Sequence, residues 1–220
     1  MISVFWIIFS YLIGSVPFGF IISKYSCGVD IRKQGRKQTG ATSTFKNAGK
    51  WQGILTGILD ILKGWLVVVG ARKLGLPLEV QALSGLFAVV GHNWPCWLKF
   101  FGGRGSATAL GAVFALNQTI FAFSFIPFII LTLLWDGAVG TILFLFSVLF
   151  LSIKFQQFIP LGIFSILLLI VILIKRLTGI RKELPKSKSK AKLIFNRLLL
   201  DRSENTRPFP KWRKKYGADQ

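Results

Sequence analysis

Two short stretches of the chain carry groups that seek anions. "RKQGRKQTGATSTFKNAGK" (32–50) is dense in cations, hydroxyls and glycines and holds no acid. "WLKFFGGRGSAT" (97–108) sets Arg104 among Gly102, Gly103 and Gly105. Successive glycines let backbone N–H groups converge on one anion, and a guanidinium among them adds a fixed, forked cation. A helix starting near Ser106 would aim the positive end of its dipole at the same place. A phosphate needs these parts: N–H donors, a fixed cation and little steric bulk. The bland reading is that small residues at a helix boundary serve close packing.

Three more polar groups interrupt apolar runs. "LDILKGW" puts Asp60 and Lys63 three residues apart, on one helix face. Ionisable groups inside a span are costly and face a site or each other. The pair therefore reads either as a structural ion pair or as part of a polar site. His92, the chain's one histidine, sits in "GHNWPCW"; a lone histidine is commonly structural. With one histidine, no Ser–His–Asp pattern or metal cluster is expected. Cys27 and Cys96 lack metal-type spacing, and no disulfide is expected on the cytoplasmic side.

The elements that position these groups follow from composition. Hydrophobic residues make up 52% of the 220 and charged residues 16%, with mean hydropathy +0.58. A soluble domain carries about a quarter charged residues. The apolar letters come in blocks, near 3–23, 52–71, 80–98, 106–117, 119–134, 137–153 and 157–174. A straight span needs about 20 residues, so the fourth block reads as a half-helix or merges with Asn117 and Gln118 into a bent element. The net charge of +20 is concentrated in the first polar loop and beyond Lys175. Cations cluster in cytoplasmic loops. An odd number of spans, with the N-terminus outside, puts both groups on that side.

The expected fold is an all-α polytopic membrane protein with about seven transmembrane helices. Residues 1–179 form the membrane domain and 180–220 a basic cytoplasmic tail. In that tail 191–202 alternates apolar and basic groups, as a short amphipathic helix lying on anionic lipid would; the alternative is a disordered, positive-inside tail with no specific partner. Nucleic acid is not an expected partner for a membrane-tethered tail.

"YLIGSVPFGFIISKYSCGVDIRKQG" (11–35), "GATSTFKNAGK" (40–50), "LDILKG" (59–64) and "GHNWPCWLKFFGGRGSATALGA" (91–112) occur in this order and spacing. Together they resemble the bacterial acyl-phosphate-dependent glycerol-3-phosphate acyltransferase family. The resemblance implies a seven-span inner-membrane enzyme. It would transfer a fatty acyl group from acyl phosphate to glycerol 3-phosphate, giving lysophosphatidic acid, with no cofactor and no metal. The implied catalytic set is Gln38, Thr42, Ser43, Lys46, His92 and Arg104. The implied substrate-binding set is Arg36, Lys37, Gly40, Asp60, Lys63, Gly102, Gly103, Gly105, Thr108, Thr141 and Arg176. Acyl phosphate carries its own leaving group, so positioning and neutralising phosphate can supply most of the catalysis. The glycerolipid acyltransferases that pair a histidine with an aspartate five positions later work differently, since position 97 here is Trp97.

The chain departs from the family pattern in places. Arg36, Lys37, Gln38 and Thr39 stand where the family has Ser-Gly-Asn and one further residue, and Ser43 replaces an asparagine. One family lysine falls on Phe101 and another on Arg104. A serine-rich patch is reduced to Ala138, Gly140 and Thr141. The family's last histidine and asparagine fall on Ile170 and Leu173, while Arg176 and Leu177 remain, Gly179 lies close by and Glu183 is out of register. A degenerate relative that only binds anions or lipid is the alternative reading, and a transporter a third.

Overall fold

The computed structural model describes residues 1–34, 38–178, 180, 183–187 and 189–201. Every regular element among them is helical. The first apolar block is expected as one span, but it forms two helices: α1 (Ile2–Ser15) and α2 (Phe18–Cys27). Pro17 lies between them. It has no N–H to continue the ladder and its ring disfavours a helical predecessor. Helices α3 (Ala41–Asn47) and α4 (Lys50–Lys73) follow. Helix α5 (Leu78–Asn93) ends ahead of Pro95, short of the expected residue 98.

Helices α6 (Ser106–Leu116) and α7 (Gln118–Leu134) are separate rather than merged. Asn117 is extended, and its side chain caps α7 by accepting from the Ile120 N–H at 2.9 Å. Helix α8 (Gly137–Lys154) is capped likewise by Asp136, which accepts from the Ala138 N–H at 2.9 Å. A π-turn over Phe158–Gly162 leads into α9 (Ile163–Leu177). Helix α10 (Lys190–Leu200) lies where the amphipathic segment 191–202 is expected.

Among the described residues, four helical stretches are able by length and composition to cross a membrane: Ile2–Cys27, Lys50–Lys73, Gly137–Lys154 and Phe158–Leu177. Helices α6 and α7 are apolar but shorter. Helix α4 shows the polarity a lipid-facing helix requires. Ile54, Ile58, Leu62 and Leu66 are exposed along one stripe, while Gln52, Thr56, Asp60 and Lys63 are buried on the other. In water this arrangement would be inverted.

Helices α4 and α6 cross closely because each lends a glycine. A Cβ on Gly64 would collide with the Thr108 carbonyl, and one on Gly111 with the Ile61 carbonyl. Backbones approach this way where small residues meet. Val67 and Val68 of α4, Ala112 and Val113 of α6, Val89 of α5 and Phe144 of α8 belong to one buried apolar core. This crossing sets α6 against the polar face of α4, and so sets the Gly-rich turn above Asp60 and Lys63.

Candidate active site

The cation-rich loop and the glycine-rich turn meet. Gln38, Gly40, Thr42, Ser43 and Lys46 line one cavity together with Arg104, Gly105 and Ser106. Its volume is about 610 Å³. Asp60, His92, Thr141 and Arg176 also reach it, from four different helices. Phe128, Thr132, Trp135 and Leu110 form a less polar side.

Each group is held in place by a local cause. Gly105 takes the left-handed φ of +76° that ends the turn and starts α6, and a Cβ there would strike Val89. Arg104 is gripped on several sides. Its Nη1 donates to the Lys175 carbonyl, and Nη2 lies 2.6 Å from Asp201 Oδ1. With the Gln38 amide oxygen turned to the guanidinium, it accepts from Nη2 at 2.8 Å and Nε at 3.0 Å. Thr141 Oγ1 donates to Ser106 Oγ at 3.0 Å, tying α8 to the start of α6. Arg176, 1% exposed, donates to the Ala138 and Leu198 carbonyls at 2.8 and 2.6 Å.

Beneath the cavity lies a buried polar cluster. Lys63 Nζ is 2.8 Å from Asp60 Oδ1 and 2.9 Å from His92 Nδ1. It also donates to the Val16 carbonyl at 3.2 Å, a group whose helix is broken by Pro17. The imidazole Nε2 points the other way, toward the two loops. It would clash with a Cβ on Gly103 and is 4.0 Å from where one would start on Gly40.

The structure thus gathers most of the expected residues, with some displaced. Gln38, Gly40, Thr42, Ser43, Lys46, Asp60, His92, Arg104, Gly105, Thr141 and Arg176 line the cavity. Lys63 sits under His92 rather than on the wall. Gly102 and Gly103 pack on the end of α5, where bare backbone lets them approach His92 and Asn93. Thr108 is fully buried at the α4 crossing. Arg36 and Lys37 fall outside the described residues. Phe101 and Ile170 face outward at 65% and 47% exposure, and neither Ile170 nor Leu173 lines the cavity.

Sequence reasoning missed Asp136, Trp135 and Asp201, which also line it. Asp136 had a signal, since "WDGA" carries an N-cap residue ahead of an apolar run. Asp201 had none: it reaches the site only because α10 folds back, burying Leu193, Asn196 and Leu200.

A bundle with an outward apolar surface and an inward, cation-bearing cavity defines an integral membrane protein with a polar internal site. The glycerol-3-phosphate acyltransferase family model matches residues 4–185, and the chain belongs to that family. It is 34% identical to glycerol-3-phosphate acyltransferase 5 of Dehalococcoides mccartyi, over 94% of this chain and 91% of that one. It is 38% identical to the glycerol-3-phosphate acyltransferase of Trichlorobacter lovleyi, over 86% and 98%. The fold is similar to the crystal structure of PlsY, an integral membrane glycerol 3-phosphate acyltransferase, in its glycerol 3-phosphate form. That match has TM-score 0.77 and 29% identity, covering 98% of this chain and all of the other. The lysophosphatidic acid form matches with TM-score 0.73 and 31% identity, over 84% and 93%.

Proposed function

We propose that this chain is a membrane acyltransferase that moves a fatty acyl group from acyl phosphate to glycerol 3-phosphate, yielding lysophosphatidic acid. The observation that carries the reading is the meeting of Lys46 and Arg104 in one cavity, from loops far apart in sequence. Both substrates are phosphorylated, and a cavity with Lys46, Arg104 and Arg176 on its walls suits two anions held side by side. The less polar side, with Phe128 and Leu110, suits the start of an acyl chain.

In the reaction the glycerol hydroxyl oxygen bonds to the acyl carbon, and the bond from that carbon to the phosphate oxygen breaks. Inorganic phosphate leaves, carrying the hydroxyl proton. The cations neutralise the phosphates and set the hydroxyl against the carbonyl, so no protein nucleophile is needed. Arg36 and Lys37 precede Lys46 in the same cation-rich stretch of sequence and are proposed to add to the anion affinity of the site. Seven spans with the N-terminus outside would put the cavity and α10 on the cytoplasmic face of the bacterial inner membrane. That topology follows from the charge of the first loop and the tail.

Purified protein given acyl phosphate and glycerol 3-phosphate is expected to release inorganic phosphate. Arg104→Ala is expected to lower that release by about two to three orders of magnitude, as loss of a charge-stabilising donor does, with helical content by circular dichroism retained. Substrate-dependent thermal protection without turnover would leave a binding protein in its place.

A further inference from the structure

We infer that Lys63 and Asp60 fix His92 in the tautomer that carries its hydrogen on Nε2, so that the imidazole donates to a substrate oxygen and does not act as a base. The inference rests on the acyl-transfer reading of the cavity. It starts from the count of hydrogens below the site. An ammonium has three. Lys63 Nζ has two fixed acceptors, Asp60 Oδ1 at 2.8 Å and the Val16 carbonyl at 3.2 Å, which leaves its third hydrogen for His92 Nδ1 at 2.9 Å. Nδ1 stands closer to Lys63 than to Asp60, which is 3.3 Å away. A ring nitrogen that accepts from an ammonium keeps its lone pair there, and the hydrogen of the neutral ring is then on Nε2.

The Gly103 backbone packs against the ring, and Nε2 faces the cavity on the Gly40 side, where a Cβ would still be 4.0 Å away and a ligand oxygen can approach. The ring cannot swing away. Its other nitrogen is anchored in a cluster where Asp60 and Lys63 are each about 2% exposed. A donor fixed before the reaction, aimed where negative charge develops on the acyl carbonyl oxygen or on the phosphate, stabilises that charge without taking a proton. The hydroxyl proton then leaves on inorganic phosphate. Asp60 and Lys63 are positioning residues in this scheme, and His92 is the group that touches substrate.

Because His92 is the chain's one histidine, its ring gives the single imidazole signal of histidine-labelled protein. Nitrogen NMR of the wild-type protein in detergent is expected to show hydrogen on Nε2 and none on Nδ1, whether or not the protein turns over. Hydrogen on Nδ1 would overturn the inference while leaving the acyl-transfer reading intact. In folded Lys63→Met the hydrogen is expected to move to Nδ1, facing Asp60; an unchanged tautomer would remove Lys63 from the role. Kinetics give a second test. A glutamine amide mimics an Nε2 donor but is no base. His92→Gln is expected to keep kcat within about tenfold of wild type, whereas His92→Ala loses about 10²–10³, the usual cost of one such donor. A folded His92→Gln as inactive as His92→Ala would overturn the assignment. Inorganic phosphate and acyl phosphate, added separately, distinguish the two oxygens by which one shifts the Nε2 signal.

Discussion

Asp201 Oδ1 lies 2.6 Å from Arg104 Nη2, so the chain's own carboxylate sits on the cation proposed to hold substrate phosphate. Asp201 is 5% exposed and closes one side of the cavity from the end of α10. Helix α10 is fixed there by the Arg176 bond to the Leu198 carbonyl and by the Glu183–Arg197 ion pair. A carboxylate and a phosphate compete for the same guanidinium.

Asp201→Asn is therefore expected to tighten the binding of inorganic phosphate and to lower KM for glycerol 3-phosphate. A site closed nine-tenths of the time binds about tenfold more weakly than the open one, which sets the scale of the gain. Titration of the melting temperature with phosphate reads this without turnover. Weaker phosphate binding in the variant would mean that Asp201 orients Arg104 and does not compete for it.

The Asp60–Lys63 pair makes a prediction about stability. Both groups are about 2% exposed in the interior of a bundle. Removing one partner strands the other charge. Lys63→Met is expected to cost about 3–5 kcal/mol, measured by thermal unfolding in detergent. The double variant Asp60→Leu/Lys63→Met, which removes both charges, is expected to recover most of that loss. A Lys63→Met melting point equal to wild type would rule the pair out as a stabilising unit.

Asp30 carries the pH dependence that the polar loop predicts. Arg32 donates to it twice from the side chain, at 2.9 and 2.8 Å, and once from its backbone N–H at 3.1 Å. The guanidinium hydrogen bonds hold the carboxyl down to about 2, against a smaller opposing effect of burial. A folded value below the unfolded one of about 3.9 stabilises the protein above that pH, and the gain fades as pH falls toward 2. Arg32 is more than a third exposed, so solvent screens the pair and the effect stays below about 1 kcal/mol. Asp30→Asn is expected to lower the melting point slightly at pH 6 and not at pH 2. Equal shifts at both values would show that the carboxylate charge is not the cause.

What the sequence made legible was local. Helix α8 runs Gly137–Lys154 where an apolar block at 137–153 is followed by Lys154, because Asp136 caps it and the polar linker ends it. Helix α6 starts at Ser106 because Gly105 supplies the left-handed turn. Lys46 and Arg104 share a cavity, as two anion-seeking loops suggested. What was not legible depends on how one helix is rotated against another. Lys63 reads from sequence as half of an ion pair or as part of a polar site; the structure pairs it with Asp60 and turns it under His92 at the close crossing of α4 and α6. Asp201 enters the site through a long return of the chain that no nearby residue announces.

The same issue of rotation governs Ile170 and Leu173, where the family carries a histidine and an asparagine. Sequence alone makes their loss look like damage to a polar corner. In the structure α9 turns Ile172, Lys175 and Arg176 inward, while Ile170 is 47% exposed on the apolar exterior. Arg176 is the α9 side chain that reaches the cavity. Restoring the family residue is thus expected not to restore any site contact. Ile170→His is predicted to leave KM for glycerol 3-phosphate and phosphate release within about twofold of wild type. It should lower stability by about 1–3 kcal/mol, because an imidazole there replaces a side chain suited to hydrocarbon. Phosphate release and detergent melting on one preparation measure both effects. A rise in release of about tenfold or more would place position 170 against the substrate, and α9 would then have to turn toward the cavity during the reaction.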